Sequence, residues 1–299
     1  MFYRLDDEIV TIDIKDVDTK YITAGYVNTR ELMNIFDRLG IARSCAESCN
    51  EDSGYTGVEI YEDYTILRVN AKVRFSVILK KGLMLVVEPA DNDGRILNCF
   101  MTAISKYPTT SISVERLVYA FFTTLVDNEA KEISQTGYTV AETEEKMLKN
   151  KGDENINPLL LKIKRRLLNR RNYYQQLISI STTLEANENE IFSDSELSSI
   201  SNLTARLVRL REETDLINAQ LLHLQDAYHA HLDLKLNQTM KTFTAVTTVF
   251  FPLTVIVGWY GMNFPMPEFR WKYGYLYVGL LSAVVIAAII LIMSKKRQK

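Results

Sequence analysis

The pattern of hydrophobic and polar positions divides the chain into a mixed front part, a long helical middle and an apolar end. The end holds two apolar stretches, about Thr242 to Tyr260 and Tyr273 to Met293. Each is long enough to cross a bilayer, and the second carries no charged residue. Only Gly261 to Lys272 separate them, too little for a domain. Before the first stretch, Ile200, Leu203, Leu207, Leu210, Thr214, Ile217, Leu221, Leu224, Tyr228 and His231 recur at a mean of about 3.5 residues, a heptad seam. Further upstream, Leu160, Ile163, Leu167, Arg170, Tyr174, Leu177, Ser181 and Leu184 repeat three and four apart, behind Pro158 in a first helical turn. Asn187 to Ser195 reads as a turn, with Asp194 or Ser195 capping the next helix. No Gly or Pro occurs between Pro158 and Pro252, so that helix can run from about Ser195 into the first apolar stretch. Val126 to Asn150 is polar nearly all round and needs helix partners.

The front part mixes strand and helix. Strands are expected at Phe2 to Leu5, Glu8 to Ile14, Gly57 to Ile60, Tyr64 to Ala71, Val73 to Leu79 and Leu83 to Glu88, with a turn at Lys80-Lys81-Gly82. Helices are expected at Arg30 to Leu39, capped by Thr29 and stopped by Gly40, and at Ile96 to Lys106 and Ile112 to Leu125. The fold class is an α/β N-terminal domain, a long α-helical stalk and two C-terminal transmembrane helices. Its segments are 1–110 (α/β), 111–193 (antiparallel long helices), 194–260 (stalk into the first span), 261–272 (loop), 273–293 (second span) and 294–299 (basic tail).

Composition narrows the function. The mean hydropathy of -0.07 and the charged fraction of 24% confine the membrane part to one end. A net charge of -2 over 299 residues, with no basic domain, argues against nucleic acid as a partner. The 3 cysteines, Cys45, Cys49 and Cys99, form no CxxC pair, which argues for reduced thiols rather than a disulfide framework or zinc ribbon. The N-terminal residues are acidic where a signal peptide is apolar, so nothing sends residues 1 to about 235 across a membrane. The front part has no Gly-rich phosphate loop, no Ser/His/Asp grouping and no histidine, and an enzyme is not expected. Of the three histidines, His223, His229 and His231, the last two fall on different helix faces and cannot chelate one ion together. The Lys/Arg cluster Lys295 to Lys299 places both chain ends in the cytoplasm, as a multi-pass protein of the cell membrane.

The two spans differ in kind. The second is Leu, Ile, Val and Ala on every face, as lipid contact requires. One face of the first reads Asn237, Met240, Thr244, Thr247, Phe251, Thr254, Gly258. Its hydroxyls can bond back to their own helix and pack on neighbouring helices. Alternatively, the stripe lines a water-filled path, which one span per subunit cannot enclose without an oligomer. Pro252 bends the span and frees a carbonyl near Thr248.

Tyr260-Gly261-Met262-Asn263-Phe264 follows a span containing Phe251-Pro252-Leu253-Thr254 and precedes a second span with a Lys/Arg tail. This arrangement resembles the CorA family of divalent-cation channels, as do Asn237-Gln-Thr-Met-Lys241 and Asp226-Ala-Tyr228. The resemblance is close from about Asp226 onward and holds in outline upstream. It implies a funnel-shaped homopentamer in the lipid bilayer that passes Mg²⁺, with Co²⁺ or Ni²⁺ as further cargo, and that needs no cofactor. It implies that Gly261, Met262 and Asn263 form the outer selectivity filter. Asn237, Thr247, Phe251 and Thr254 then face the pore, Phe251 as a hydrophobic constriction and Asn237 as a polar ring. Family members sense cytoplasmic Mg²⁺ through acidic residues in the funnel. The stalk position of that kind corresponds to the neutral Asn202 here, which leaves Asp194, Glu196 and Asp215 as candidate regulatory ligands. A zinc transporter of the same superfamily and a non-transporting coiled-coil scaffold anchored in the membrane are the competing readings.

Overall fold

A computed structural model of the chain describes residues 1–6, 8–17, 20–49, 56–71, 73–89, 94–108, 112–148, 156–193, 195, 197–263 and 266–297. The N-terminal part is built on a seven-stranded sheet of β1 (Phe2–Leu5), β2 (Ile9–Ile12), β3 (Ile22–Asn28), β4 (Gly57–Ile60), β5 (Tyr64–Asn70), β6 (Arg74–Lys80) and β7 (Leu83–Glu88). The order is β2-β1-β3-β7-β6-β5-β4. All neighbours are antiparallel except β3 and β7, whose parallel register sets Thr23 beside Leu83 and Asn28 beside Glu88. Every residue of β7 is buried, because helices cover both faces of the central strands. On one face, α1 (Thr29–Ile35) and α2 (Arg43–Ser48) bring Leu32, Cys45 and Ala46 onto Ile66, Ile78 and Leu85. On the other, α3 (Arg95–Ser105) and α4 (Val114–Leu148) stack Phe100 on Tyr26 at 5.8 Å between ring centres and Phe121 edge-on to Phe75 at 5.5 Å.

The six expected strands are present with shifts of a residue or two, and three differences are informative. Strand β3 was not expected, although it joins the two halves of the sheet. Its Gly25 breaks the β-propensity signal, yet a Cβ there would sit 2.7 Å from both Leu85 Cδ1 and Phe2 Cε1, so close packing demands glycine. The helix expected at Arg30 to Leu39 is shorter. It starts at Thr29, and Asn28 rather than Thr29 caps it, exchanging hydrogen bonds with Glu31 in a capping box. Strand β2 stops at Ile12, and a 3-10 turn at Ile14–Asp16 follows.

Two long helices complete this region, α5 (Ile156–Ala186) and the start of α6 (Leu197–Tyr260). All eight seam residues named for α5 are buried, Arg170 among them. The buried stripe of α4 beyond Val126 is Glu129, Ile133, Thr136, Val140, Thr143 and Met147. Thr136 and Thr143 donate to carbonyls of their own helix, and Glu129 has partners on α5. Arg170 pairs with Glu129 at 3.5 Å and with Glu132, and Tyr174 donates to Glu129 Oε2 at 3.1 Å. The buried charge of Glu129 is therefore met by pairing with Arg170, where a lone ion would be costly.

The chain packs as two compact units, Met1–Leu224 and Gln225–Lys299. The boundary falls inside α6. Its seam is buried from Ile200 to Leu224, and Tyr228 and His231 are only half-buried.

Candidate functional site

The second unit contains the rest of α6 and α7 (Gly274–Arg297). Both helices are long and apolar enough to cross a membrane, and no part of either apolar window is buried. Half-buried positions nonetheless recur along one side of each. On α6 they are Ala245, Val249, Pro252, Leu253, Ile256 and Tyr260. On α7 they are Val278, Leu281, Ser282, Val285, Ile286 and Ile289. Spacing of three and four marks one sheltered face on each helix. At about 100° per residue, the stripe from Met240 to Gly258 lies roughly opposite that sheltered face of α6. Asn237, Met240, Thr244, Thr247, Phe251, Thr254 and Gly258 are all exposed in the chain.

The threonine hydroxyls bond to their own helix. Thr247 donates to the carbonyls of Phe243 and Thr244, each at 3.1 Å, and Thr254 donates to Phe250 at 2.9 Å. Thr248 donates to Thr244 at 2.7 Å. Each bond uses the hydroxyl proton and leaves the oxygen's two lone pairs as acceptors. The helix continues through Pro252.

The helix closes at Tyr260. The Gly261 amide donates to Val257 O at 2.8 Å and the Met262 amide to Trp259 O at 3.3 Å. A Cβ on Gly261 would meet that same Val257 oxygen at 2.8 Å, so only glycine lets the turn close. Met262 is half-buried, and Asn263 is exposed directly beyond the turn. A 3-10 turn at Pro267–Arg270 leads to Trp271, whose ring lies 6.0 Å from Tyr277 and 6.4 Å from Tyr273. Trp259, Trp271, Tyr273 and Tyr275 are exposed, as in an interfacial aromatic belt.

Of the expected regulatory acids, only Asp215 is among the described residues. Asp215 pairs with Arg171 at 3.1 Å. Asp194 and Glu196 lie outside the described residues. Among the described residues, no group of three or more His, Cys, Asp or Glu side chains could hold a metal. The three cysteines are free and buried, and burial pushes the Cys99 thiol up to about 11.

A family model described as "CorA-like Mg2+ transporter protein" matches residues 18–297. The chain belongs to the CorA-like Mg²⁺ transporter family. This is a family of transporters rather than enzymes, and the two C-terminal helices are its membrane-spanning elements. This family member is 27% identical over 184 residues to the cobalt/magnesium transport protein CorA of Thermotoga maritima, covering 61% of this chain and 52% of that one. A 138-residue stretch is 34% identical to a Bacillus subtilis protein, of which it covers 41%. The chain thus spans about half the length of these curated relatives. The fold agrees over nearly all of the chain with the complete structure of the CorA magnesium transporter from Methanocaldococcus jannaschii. There the TM-score is 0.79 at 19% identity, with 98% of this chain and 96% of that one covered. The full-length CmaX protein gives a TM-score of 0.73 at 16% identity, covering 96% of each chain.

Proposed function

We propose that the chain is the subunit of a homopentameric, pore-forming transporter of the cell membrane that passes hydrated Mg²⁺, and also Co²⁺ or Ni²⁺, into the cytoplasm. The observation that carries this reading is the position of Gly261-Met262-Asn263. The motif closes a membrane span whose polar stripe lies on the side opposite its sheltered face. Five first spans around an axis enclose the stripe. Hydroxyl oxygens whose protons are already used present acceptors to the water shell of a cation. Mg²⁺ gives up its water reluctantly, so a ring of neutral Asn263 amide oxygens suits it better than a carboxylate ring, which would hold it tightly and release it slowly. Phe251 forms a hydrophobic constriction, and Asn237 forms a polar ring at the cytoplasmic end. An inward-negative potential supplies about 2.3 kcal/mol per charge per 100 mV, and roughly twice that for a divalent ion, so no ATP is needed.

Mg²⁺ uptake into proteoliposomes by wild type and Asn263→Ala tests this directly. Uptake by wild type alone supports the filter. Equal uptake by both removes Asn263 from that role, and no uptake by wild type favours the membrane-anchored scaffold. Competition by Zn²⁺, Co²⁺ and Ni²⁺ in the same vesicles decides the cargo between the magnesium and zinc branches. Closure by cytoplasmic Mg²⁺ through Asp194, Glu196 and Asp215 is part of the proposal. It requires Asp215 to leave Arg171, and closure that persists after all three carboxylates are removed would exclude them.

A further inference from the structure

Helix α5 carries a basic run unrelated to the membrane hairpin. Lys162, Lys164, Arg165, Arg166, Arg170 and Arg171 occur within it, and no acidic residue occurs from Ile156 to Leu184. Lys162, Arg166 and Arg170 are spaced four apart, which stacks like charges along about 12 Å of one helix face. Such stacking is unfavourable unless something anionic faces it.

The residues facing it are mostly neutral. Two adjoining cavities, of about 490 Å³ and about 420 Å³, share Glu132, Arg166 and Arg170 in their walls. Lys162 lines the second, opposite Gln135, Thr136 and Thr139 of α4. Glu132 is the one acidic side chain among the described lining residues, and it is already engaged with Arg170.

Arg170 supplies an independent pointer. Its side chain is only 7% exposed and is held by Glu129 and Glu132, yet its Nη1 has no partner among the described residues. The buried Gln176 Oε1, in the wall of the larger cavity, is likewise without a donor. Asn70 and Asn172 complete that end of the cavity with amide groups. The groove therefore offers cations along one end and a mixed donor and acceptor surface at the other. Its volume falls in the range of small-molecule sites.

We propose that this groove binds a nucleoside polyphosphate. The phosphates lie along Lys162, Arg166 and Arg170 Nη1. The base presents a hydrogen-bond donor to Gln176 Oε1 and is held by Asn70 and Asn172. A carboxylate from a second copy of the chain would satisfy the cations but would leave the amide end unmatched.

Equilibrium binding of labelled ATP to the full-length, detergent-solubilised protein tests the proposal, in buffer with EDTA so that the ligand is metal-free. Inorganic tripolyphosphate serves as competitor. ATP should bind saturably. Lys162→Ala and Arg166→Ala, both at exposed positions, should each weaken it by about tenfold while the helical circular dichroism is unchanged. Gln176→Ala should weaken ATP and leave tripolyphosphate competition unaltered. No ATP binding by wild type, or wild-type affinity in both cation variants, overturns the site. Tripolyphosphate binding as tightly as ATP, with Gln176→Ala silent, overturns the nucleoside and leaves a phosphate groove only.

Discussion

Leu207 is 1% exposed and Phe251 is 71% exposed, although both lie on α6 and both belong to rows spaced three and four apart. In the N-terminal unit, water drives the apolar seam against α5 and α4, and burial reports the partner directly. In the membrane unit the surroundings are already apolar, so leucine and phenylalanine gain little by turning inward. The polar positions need partners there instead. The same two regions reverse their treatment of polar groups. Arg170 pairs with Glu129 and Glu132 in the first unit. Thr247 and Thr254 satisfy only their protons, each within its own turn of helix.

Substitutions sharpen this contrast in descending order of effect. Arg170→Leu removes the cation beside buried Glu129 and should destabilise the N-terminal unit by about 3–5 kcal/mol. Thermal melting of the detergent-solubilised protein would register it, and an unchanged midpoint would mean the network carries little. Gly25→Ala forces a methyl against Leu85 and Phe2, for a loss of about 1–3 kcal/mol. The matching change in the other unit, Gly258→Ala, meets no atom within 4 Å and should leave melting unaltered. A loss of oligomer on native electrophoresis after that change would show a second copy packed at Gly258. Thr247→Val and Thr254→Val should alter stability by no more than about 0.5 kcal/mol, since each hydroxyl touches only its own helix. The same variants should slow Mg²⁺ uptake, and unaltered flux would assign the stripe to packing.

The smallest expected effect is a pH dependence. Burial, more than the opposing pull of Arg95, raises the Cys99 thiol from 9.0 to about 11. The unfolded chain therefore loses this proton first. The stability this thiol confers is complete below about pH 9 and declines as pH rises toward about 11. Melting curves between those values should show it, and a flat profile would place Cys99 in contact with solvent.

Much of this was legible in the amino-acid pattern. Strands β5, β6 and β7 announce themselves through β-branched runs ended by Gly82 and Pro89, and the α6 seam is a plain heptad repeat. Strand β3 was hidden because Gly25 is chosen by its neighbours in space, which no local propensity records. Arg170 stood on the predicted seam of α5, but its pairing with Glu129 and Glu132 depends on the register between two helices. Gly261-Met262-Asn263 was legible as a motif. The direction of the stripe relative to the sheltered face of α6 was not, because hydropathy does not say which side of a span is covered.

The lone parallel pair in the sheet has a consequence during synthesis. Strands β7, β6, β5 and β4 form a meander of neighbours in sequence, whereas β3 must wait for β7, with Thr23 set beside Leu83, a separation of 83 − 23 = 60 residues. At roughly 5–20 residues per second, the first three strands spend several seconds with the edge of β3 uncovered. Nascent chains stalled before Leu83 should be cut by protease within β1 to β3, and chains stalled well beyond α4 should resist.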